Sequence, residues 1–325
     1  MTKDTLITIF GGQGLVGRYT VRALAKAGYR LRVGVRRPNS AGYLVSMGHV
    51  GQIQLCKVDV RNEGAVRAAL RGAHAAVNLA GALYQRGQSY DDVHVIAAAA
   101  IAKLAREAGA KTLVHVSAIG ADANAESAYA RSKAEGEKAV RQAFPDAAIL
   151  RPSAIFGPED KFFNQFAAMA RYFPALPLPG GGHTKLQPVF AGDVADAIRK
   201  CLEDPVTRGQ TYELGGPHIY TFREMMELIL RETGRKRWLV TVPYPLMMLK
   251  ATFLGLIPGS PLTRDLVKFS RIDDVVSPGA KTFADLGITP DSVEAIVPQY
   301  LWRFRREGQY AKFLEEKAIA ASKPQ

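Results

Sequence analysis

Short apolar runs alternate with longer amphipathic runs over the first half of the chain. A short run rich in apolar and β-branched residues predicts a buried strand, and apolar residues three to four positions apart predict a helix with one buried face. The predicted strands span residues 6–10, 31–35, 53–58, 75–81 and 112–116, and the predicted helices span 18–27, 63–70, 91–108 and 129–144. This alternation predicts an α/β fold, a Rossmann-type doubly wound parallel sheet with ligands at the carboxyl ends of its strands.

A glycine-rich turn follows the first predicted strand, where Gly11, Gly14 and Gly17 have the spacing Gly-x-Gly-x-x-Gly. Gly11 and Gly14 allow a sharp turn and a close approach of the backbone to a pyrophosphate. Gly17 allows the next helix to lie close to the strand, and the N–H groups at the helix start favour phosphate. The motif alone also fits any tight turn between a strand and a helix. Its position directly after a strand favours a dinucleotide site.

Two arginines, Arg36 and Arg37, end the second predicted strand. NAD-selective sites usually have an Asp or Glu there to hold the ribose hydroxyls, and this chain has none. A guanidinium matches phosphate geometry and is always charged, so the pair favours a 2′-phosphate and predicts NADP(H), with NADPH as the cofactor. The alternative is a solvated pair of charges at a strand end.

Further cofactor contacts are predicted at the ends of the third and fourth strands. Asp59 and Val60 follow the third strand where an adenine would lie, and small residues end the fourth strand and let a cofactor lie close. With the turn and the arginines, the predicted cofactor-binding residues are Gly11, Gly12, Gln13, Gly14, Leu15, Val16, Gly17, Arg36, Arg37, Asp59, Val60, Leu79, Ala80 and Gly81.

Candidate catalytic residues follow at Ser117, Tyr129 and Lys133. The i,i+4 spacing puts the Tyr129 phenol and the Lys133 ammonium on one helix face, and Ser117 ends the fifth strand. A nearby Lys⁺ favours phenolate and is expected to lower the pKa of Tyr129, and Ser117 can hydrogen-bond a substrate oxygen. The three residues are predicted to line the nicotinamide site together with Val116. The alternative is a Tyr and a Lys that face solvent on an ordinary helix.

Composition narrows the classes of partner. The chain has 325 residues with a net charge of +13, which favours anionic partners such as a phosphorylated cofactor, acidic lipid or an acidic protein face. Nucleic acid is not expected, because no aromatic-basic motif or zinc-finger spacing occurs. Two distant cysteines and six histidines without ligand spacing predict no disulfide and no metal site.

Several motifs together resemble the short-chain dehydrogenase/reductase superfamily in its extended or atypical branch. They are the glycine turn, Asn78-Leu79-Ala80-Gly81, Ser117, Tyr129-x-x-x-Lys133 and the run from Arg151 to Gly157. In that superfamily the segment after the sixth strand, here residues 148–151, supplies backbone contacts to the nicotinamide half of the cofactor. The resemblance therefore adds Pro152, Ser153 and Ile155 to the predicted contacts.

A narrower resemblance spans nearly the whole chain. The segments that carry it are residues 151–164, 185–195, 262–268 and 285–288, and they are similar to the nucleotide-binding accessory subunits of respiratory complex I, the NADH:ubiquinone oxidoreductase, in the bacterial form. This resemblance implies a tightly held, structural NADPH on a peripheral subunit near the quinone module, at the junction of the hydrophilic and membrane arms. The first strand begins close to Met1, which predicts no transit or signal peptide. Because mitochondrial relatives have a transit peptide before this strand, the resemblance then implies a bacterial member at the cytoplasmic face of the inner membrane.

Two departures from active short-chain enzymes weigh against turnover and leave it open. Phe10-Gly11-Gly12 replaces the usual Thr-Gly opening, and Val93-His94-Val95 has no Asn where many active members use one in a proton relay. The main alternative is a free NADP-dependent reductase or epimerase for a carbonyl, sugar-nucleotide or quinone-like substrate. A third alternative is a nucleotide-binding regulator with a degenerate site, since one fold hosts all three.

The last third of the chain predicts a smaller, discontinuous C-terminal lobe. Residues 1–157, with 185–215 returning, form the predicted NADP-binding domain, and 158–184 and 216–325 form the lobe. The apolar stretch 238–257 is interrupted by Pro243, Pro245 and Lys250, so it is not expected to span a membrane. It is read as a helix that is either buried, at a membrane surface or against a partner. Basic residues near it suit acidic lipid head groups, and the tail from Ala318 is expected to fray or reach a partner.

Overall fold

The structure is a computed structural model that describes residues 5–82, 88–254, 263–306 and 308. The strands are β1 (Leu6–Phe10), β2 (Arg30–Val35), β3 (Ile53–Lys57), β4 (Ala75–Asn78), β5 (Thr112–Val116), β6 (Ala148–Pro152), β7 (Ile155–Phe156), β8 (Ala175–Pro179), β9 (Lys185–Leu186), β10 (Val189–Phe190), β11 (Thr211–Leu214), β12 (Tyr220–Thr221) and β13 (Trp238–Val242). The α-helices are α1 (Leu15–Lys26), α2 (Glu63–Leu70), α3 (Ala97–Glu107), α4 (Ala128–Ala143), α5 (Phe162–Tyr172), α6 (Ala191–Glu203), α7 (Phe222–Glu232), α8 (Tyr244–Leu254), α9 (Arg264–Phe269), α10 (Val293–Ile296) and α11 (Pro298–Leu301). Segments of 3₁₀ helix cover Pro38–Met47, Pro205–Thr207, Ala284–Leu286 and Trp302–Phe304, and a π-helical turn covers Asp91–Ile96.

Seven parallel strands form the central sheet in the order β11-β6-β5-β4-β1-β2-β3. The order reverses direction next to β1, because β2 lies on one side of it and β4 on the other. Such a reversal leaves a crevice at the carboxyl ends of β1 and β4. The Rossmann-type doubly wound parallel sheet predicted from the sequence is confirmed.

Each face of the sheet buries its own hydrophobic cluster. Helices α1 and α6 cover one face, where Val21, Leu24 and Ile198 pack against strand residues such as Ile9 and Val33. Helices α2, α3 and α4 cover the other face, where Phe10 and Leu113 are fully or almost fully buried. The strands are largely apolar because helices cover both faces of the sheet. Each helix buries only the face that packs on the sheet, and its apolar residues therefore recur at helical spacing.

A third cluster lies in the C-terminal half and holds the smaller lobe together. It contains Phe163 and Ala167 of α5, Leu176 and Leu178 of β8, and residues of α7, α10 and α11. Phe156 of β7, which is 1% exposed, belongs to this cluster although it follows directly on the central sheet. Side chains from both parts of the chain therefore meet beside the carboxyl end of β6.

The apolar stretch 238–257 differs from the single helix expected from the sequence. Trp238–Val242 is β13, which pairs in parallel with β8, and helix α8 begins only at Tyr244. Val240, Thr241 and Val242 are typical strand formers, and Pro243 disfavours helical geometry in the residue before it. Residues 255–257 and the tail from Ala318 lie outside the described residues. Within the part of the chain that the structure describes, no helix has the length and apolar character to cross a bilayer.

Candidate functional site

A cleft of about 680 Å³ opens at the carboxyl ends of β1, β2, β3 and β4, in the crevice that the strand order creates. Its volume lies in the range of small-molecule sites. The lining residues are Gly11, Gln13, Gly14, Gly34, Val35, Arg36, Arg37, Ser40, Val58, Asp59, Val60, Leu79, Ala80, Gly81, Gln88 and Val93.

The glycine turn forms the floor of this cleft. Gly11 has φ +82°, and a Cβ there would lie 2.8 Å from the backbone carbon and oxygen of Leu79. Gly14 is the N-cap of α1 and has no side chain to satisfy the first N–H groups of the helix. The turn therefore presents bare backbone and a helix N-terminus to the cleft, which is the arrangement that binds pyrophosphate. This geometry fits a dinucleotide.

Positive charge lies at the end of the cleft formed by β2 and β3. Arg36 and Arg37 are exposed and line it directly after β2. Asp59 faces them from the end of β3, and its pKa is lowered to about 2, mainly by the hydrogen bonds from Arg61 and to a smaller extent by the charge of Arg36. At neutral pH the cleft therefore holds one permanent carboxylate beside two permanent guanidinium groups. No acidic residue occupies the end of β2 itself, and the one carboxylate beside the pair, Asp59, is bound by Arg61.

Ten of the residues predicted as cofactor contacts line the cleft. They are Gly11, Gln13, Gly14, Arg36, Arg37, Asp59, Val60, Leu79, Ala80 and Gly81. The other four lie outside the lining: Gly12 is in the turn itself, and Leu15, Val16 and Gly17 begin helix α1. A Cβ on Gly17 would lie 2.5 Å from the oxygen of Gly11, so this glycine brings α1 against the turn.

Six lining residues were not predicted from the sequence. They are Gly34, Val35, Ser40, Val58, Gln88 and Val93. The strand-end position of Gly34, Val35 and Val58 next to predicted contacts is a signal that could have found them. Ser40 accepts a hydrogen bond of 2.9 Å from Gln13 Nε2, a contact across 27 residues that leaves no local pattern.

The predicted catalytic residues come together behind Gly81, beyond the lining of the cleft. Lys133 Nζ lies 5.9 Å from the centre of the Tyr129 ring and 3.5 Å from the oxygen of Val116. A Cβ on Gly81 would lie 3.6 Å from Lys133 Nζ, so the ammonium reaches the wall of the cleft. Ser117 is 4% exposed, and among the described residues its Oγ has no hydrogen-bond partner. Tyr129 and Lys133 thus share one helix face, and Lys133 contacts the end of β5 at Val116.

The acid–base properties differ from the sequence expectation. Burial raises the pKa of Tyr129 well above its ordinary value, and Asp274 and Tyr90 add to the shift. Burial also lowers the pKa of Lys133 to about 8. The expected lowering of the tyrosine pKa by Lys133 is therefore wrong for this structure, because desolvation of the phenolate outweighs the attraction of a cation that burial itself disfavours.

Comparison with known proteins fits this geometry. Residues 7–215 match the NAD dependent epimerase/dehydratase family, which covers more than half of the chain. The chain belongs to this family. The solved structure of the dTDP-glucose 4,6-dehydratase DesIV from Streptomyces venezuelae, with NAD and TYD bound, is 20% identical, has a TM-score of 0.73, and covers 94% of this chain and 98% of that one. That likeness concerns the fold.

Relatives of higher identity extend past the epimerase/dehydratase region. NADH dehydrogenase (ubiquinone) 1 alpha subcomplex subunit 9 of Arabidopsis thaliana is 35% identical over 317 residues, 93% of this chain and 78% of the relative. The NADH-ubiquinone oxidoreductase 40 kDa subunit of Neurospora crassa is 32% identical over 305 residues, 93% and 80% of the two chains. Ceramide reductase of Caulobacter vibrioides is 31% identical over 241 residues, 74% of each. The resemblance to complex I accessory subunits stated from the sequence is confirmed.

In this member of the epimerase/dehydratase family, a C-terminal strap crosses the residues around Tyr129. We define the strap as residues 263–281. Asp265 accepts hydrogen bonds from Ser127 Oγ (3.1 Å), Ala128 N (2.6 Å) and Tyr129 N (3.1 Å), and so caps helix α4 with a carboxylate. Phe269 packs edge-on against the Tyr129 ring, 5.1 Å between centres. Tyr90 and His94 contact the same ring from other sides.

The strap also binds the segment predicted to contact the nicotinamide half. Asp274 accepts hydrogen bonds from Ser153 Oγ (3.0 Å) and Ala154 N (2.7 Å), and burial raises its pKa to about 6. Pro152 ends β6 and Ile155 begins β7, on either side of these bonds. Polar groups of Ser153 and Ala154 are therefore already satisfied within the chain, and no local pattern predicts these bonds because Asp274 lies 120 positions away.

Proposed function

We propose that this protein is an accessory subunit of respiratory complex I that holds NADPH tightly as part of its structure. The observation that carries the proposal is the extent of the similarity. The epimerase/dehydratase match ends at residue 215, whereas the complex I relatives align over 93% of the chain. At 32–35% identity the shared sequence therefore includes the C-terminal lobe and the strap. The dehydratase DesIV has a similar fold over 94% of the chain but is only 20% identical, so the sequence of the lobe, and not its fold, favours the complex I relatives.

The chain's own groups support NADP(H) over NAD(H) in the cleft. The N–H groups of the glycine turn and the start of α1 would hold the pyrophosphate, and Arg36 and Arg37 would hold a 2′-phosphate. Lys133 would hydrogen-bond at the wall formed by Gly81. When bound, NADPH supplies a hydride donor.

A structural role is favoured over turnover by the surroundings of Tyr129. A general acid works best when its pKa lies near the working pH. The pKa of Tyr129 is instead raised by burial, and its partly buried ring packs edge-on against Tyr90, His94 and Phe269. The strap contributes one of these contacts through Phe269 and holds the start of α4 through Asp265. In this proposal Ser117, Tyr129 and Lys133 are vestigial as catalysts and serve the cofactor site.

The proposal includes the division of the chain and its location. Residues 1–157 with 185–215 form the NADP-binding domain, and 158–184 with 216–325 form the lobe that contacts other complex I subunits near the quinone module. The separate hydrophobic cluster of α5, β8, α7, α10 and α11 supports this division. We place the subunit peripherally at the cytoplasmic face of a bacterial inner membrane.

Native electrophoresis of mildly solubilised membranes tests the assembly. Antibody against the chain should detect it in the band that carries NADH dehydrogenase activity, and deletion of its gene should shift or weaken that band. Detection only in the soluble fraction, with an unchanged complex I band in the deletion strain, would contradict the proposal.

Release of bound nucleotide tests the cofactor. The purified chain should retain close to one equivalent of NADP(H) through extended dialysis, and denaturation should release it for identification by chromatography. A preparation that contains NAD(H) instead would contradict the assigned specificity, and one without nucleotide would contradict tight binding.

A free NADP-dependent reductase is the second candidate. It is favoured by the buried Ser117 Oγ, for which the described residues offer no partner, and by the 31% identity to a ceramide reductase. An unsatisfied buried hydroxyl costs free energy that a bound oxygen would recover. A reductase would consume NADPH with a carbonyl substrate and lose that turnover in Tyr129→Phe. If the bound cofactor exchanges slowly, and neither the wild-type protein nor Tyr129→Phe consumes NADPH when a carbonyl substrate is added, the structural role is favoured.

A further inference from the structure

His94 is a buried histidine in the π-helical turn Asp91–Ile96, directly before helix α3. Its Nε2 accepts a hydrogen bond of 3.0 Å from the backbone N–H of Ala82. Its Nδ1 lies 2.9 Å from Ser132 Oγ, on helix α4. One imidazole therefore links the end of the fourth strand segment, which forms a wall of the cleft, to the helix that carries Tyr129 and Lys133.

The donors around the ring fix a single tautomer. The N–H of Ala82 can only donate, so Nε2 must carry a lone pair, and the proton of a neutral ring must lie on Nδ1. Nδ1–H then donates to Ser132 Oγ, and the Ser132 hydroxyl donates onward to the backbone oxygen of Tyr129 at 2.8 Å. The ring stays neutral because burial, assisted by the charge of Lys133, lowers the pKa of His94 to about 3.

The π-helical turn is held against α4 by a second, steric contact. Gly136 leaves room for the backbone oxygen of His94, which a Cβ at that position would overlap. On the other side, a Cβ on Gly81 would lie 3.6 Å from Lys133 Nζ and 3.9 Å from His94 Nε2. The cleft wall at Gly81, the π-helical turn and helix α4 therefore meet at His94. This junction sets the position of Lys133 relative to the cleft wall.

We infer that His94 is a positioning residue of the cofactor cleft, which fixes the Gly81–Ala82 backbone against Lys133 through its Nδ1–H tautomer. The inference rests on the proposed function, in which the cleft holds NADP(H). It also explains why residues 93–95 contain a histidine where many active short-chain enzymes have an Asn. In this inference the His94 side chain holds the site in position, and no proton passes through it.

Cofactor release measures the bracing directly. His94→Phe keeps an aromatic ring and removes both hydrogen bonds, and we expect NADPH to dissociate about tenfold faster from this variant. The release is measured from NADPH fluorescence while excess NADP⁺ displaces the bound cofactor. A tenfold change corresponds to the loss of roughly one hydrogen bond. His94→Gln keeps an acceptor and a donor and should recover part of the loss. Ser132→Ala keeps the Ala82 bond and should show a smaller effect than His94→Phe.

A matched control separates positioning from general loss of stability. Thr233 is 1% exposed and donates 2.7 Å to the oxygen of Ile229, far from the cleft in the C-terminal lobe. Thr233→Val should lower the melting temperature without changing NADPH release. If Thr233→Val accelerates release as much as His94→Phe at equal loss of stability, or if His94→Phe leaves release unchanged, the inference is wrong.

The tautomer provides a readout that does not require the cofactor. Nitrogen-15 NMR of the histidine-labelled chain, with the signal assigned by its loss in His94→Gln, should show a protonated Nδ1 and an unprotonated Nε2 that do not titrate between roughly pH 5.5 and 8. A protonated Nε2, or titration in that range, would overturn the inference. If the NMR result is as expected but no preparation contains nucleotide, the proposed function fails while the bracing geometry stands.

Discussion

Among single residues, the arginines at the end of β2 carry the predicted preference for NADPH. We expect Arg36→Gln with Arg37→Gln to weaken NADPH binding roughly 10- to 100-fold, since hydrogen bonds to a charged group contribute about 1.5–3 kcal/mol. Binding of NADH should change little, because it has no 2′-phosphate. Calorimetric titration of nucleotide-free protein gives both constants. Arg30→Gln, at the opposite end of the same strand, is the control. Equal losses for both nucleotides would argue against phosphate recognition by the pair.

Asp193 makes stability depend on pH. Its pKa is raised to about 7, mainly by burial, with Asp291 and Asp196 adding to the shift, although Asp193 Oδ2 accepts a bond from Asp291 N. The folded state therefore holds the proton more tightly than the unfolded state, in which the pKa is near 3.8. This contribution is present at low pH and is lost as pH rises through about 7.

The Asp193→Asn variant isolates that contribution. The amide can still accept from Asp291 N but carries no charge, so the variant should gain stability relative to wild type as pH rises from about 4 to 8. Urea unfolding at several pH values measures the difference, with Glu135→Gln as an exposed control. A difference between Asp193→Asn and wild type that is constant across this range would refute the assignment.

The acid–base behaviour of Tyr129 marks the limit of sequence reasoning at the scale of residues. The spacing of Tyr129 and Lys133 predicted their proximity, and they do lie together. The direction of the tyrosine pKa was wrong because it depends on burial beneath Phe269, 140 positions along the chain. Desolvation is a property of the whole neighbourhood, and no local spacing encodes it.

Among the elements, the packing of α1 on the glycine turn depends on Gly17. We expect Gly17→Ala to destabilise the protein by about 1–3 kcal/mol and to weaken nucleotide binding, because its Cβ would meet the backbone of Gly11 and Gly12 at 2.5 Å and push the helix start away. Thermal and chemical unfolding with nucleotide titration test both effects. Gly42→Ala, where a Cβ meets nothing within 4 Å, should be neutral or slightly stabilising. Similar results for the two variants would contradict the close packing.

The elements of the first half were predictable because their signals are local. Helix α2 and strand β5 have the predicted bounds, and both are short runs whose apolar pattern lies within the element. The strap was not predictable, since Asp265 caps a helix 136 positions away. Strand β13 was hidden for a similar reason, because its partner β8 lies about 60 positions upstream and its apolar run merges with that of α8. Contacts of this kind depend on the tertiary structure and produce no periodic pattern of apolar residues in the sequence.

At the scale of the whole molecule, apolar and positive surfaces coincide in the C-terminal lobe. Trp238 is 75% exposed and lies beside Phe173, which is 56% exposed, because Trp238 N donates to the oxygen of Pro174. Burial lowers the pKa of Arg235, and the positive charges of Arg237, Arg306 and Arg171 lie close enough to lower it further. We call the surface formed by these residues with Tyr172 and Lys236 the β13 face. Aromatic rings beside clustered cations are typical of contact with anionic membrane surfaces.

This coincidence leads to a prediction for the purified chain. Vesicles of phosphatidylcholine with phosphatidylglycerol should sediment the protein, whereas vesicles of phosphatidylcholine alone should not, and added salt should weaken the binding because exposed charges are screened. Lys236→Ala should cost about 1 kcal/mol of that binding, the contribution of one basic residue at a lipid surface. Trp238→Ser should cost more, since it removes the ring that would enter the interface. Val206→Ser, an exposed apolar residue in another part of the chain, should have no effect. Failure of the protein to bind anionic vesicles, or equal binding by Trp238→Ser and wild type, would contradict a lipid contact at the β13 face.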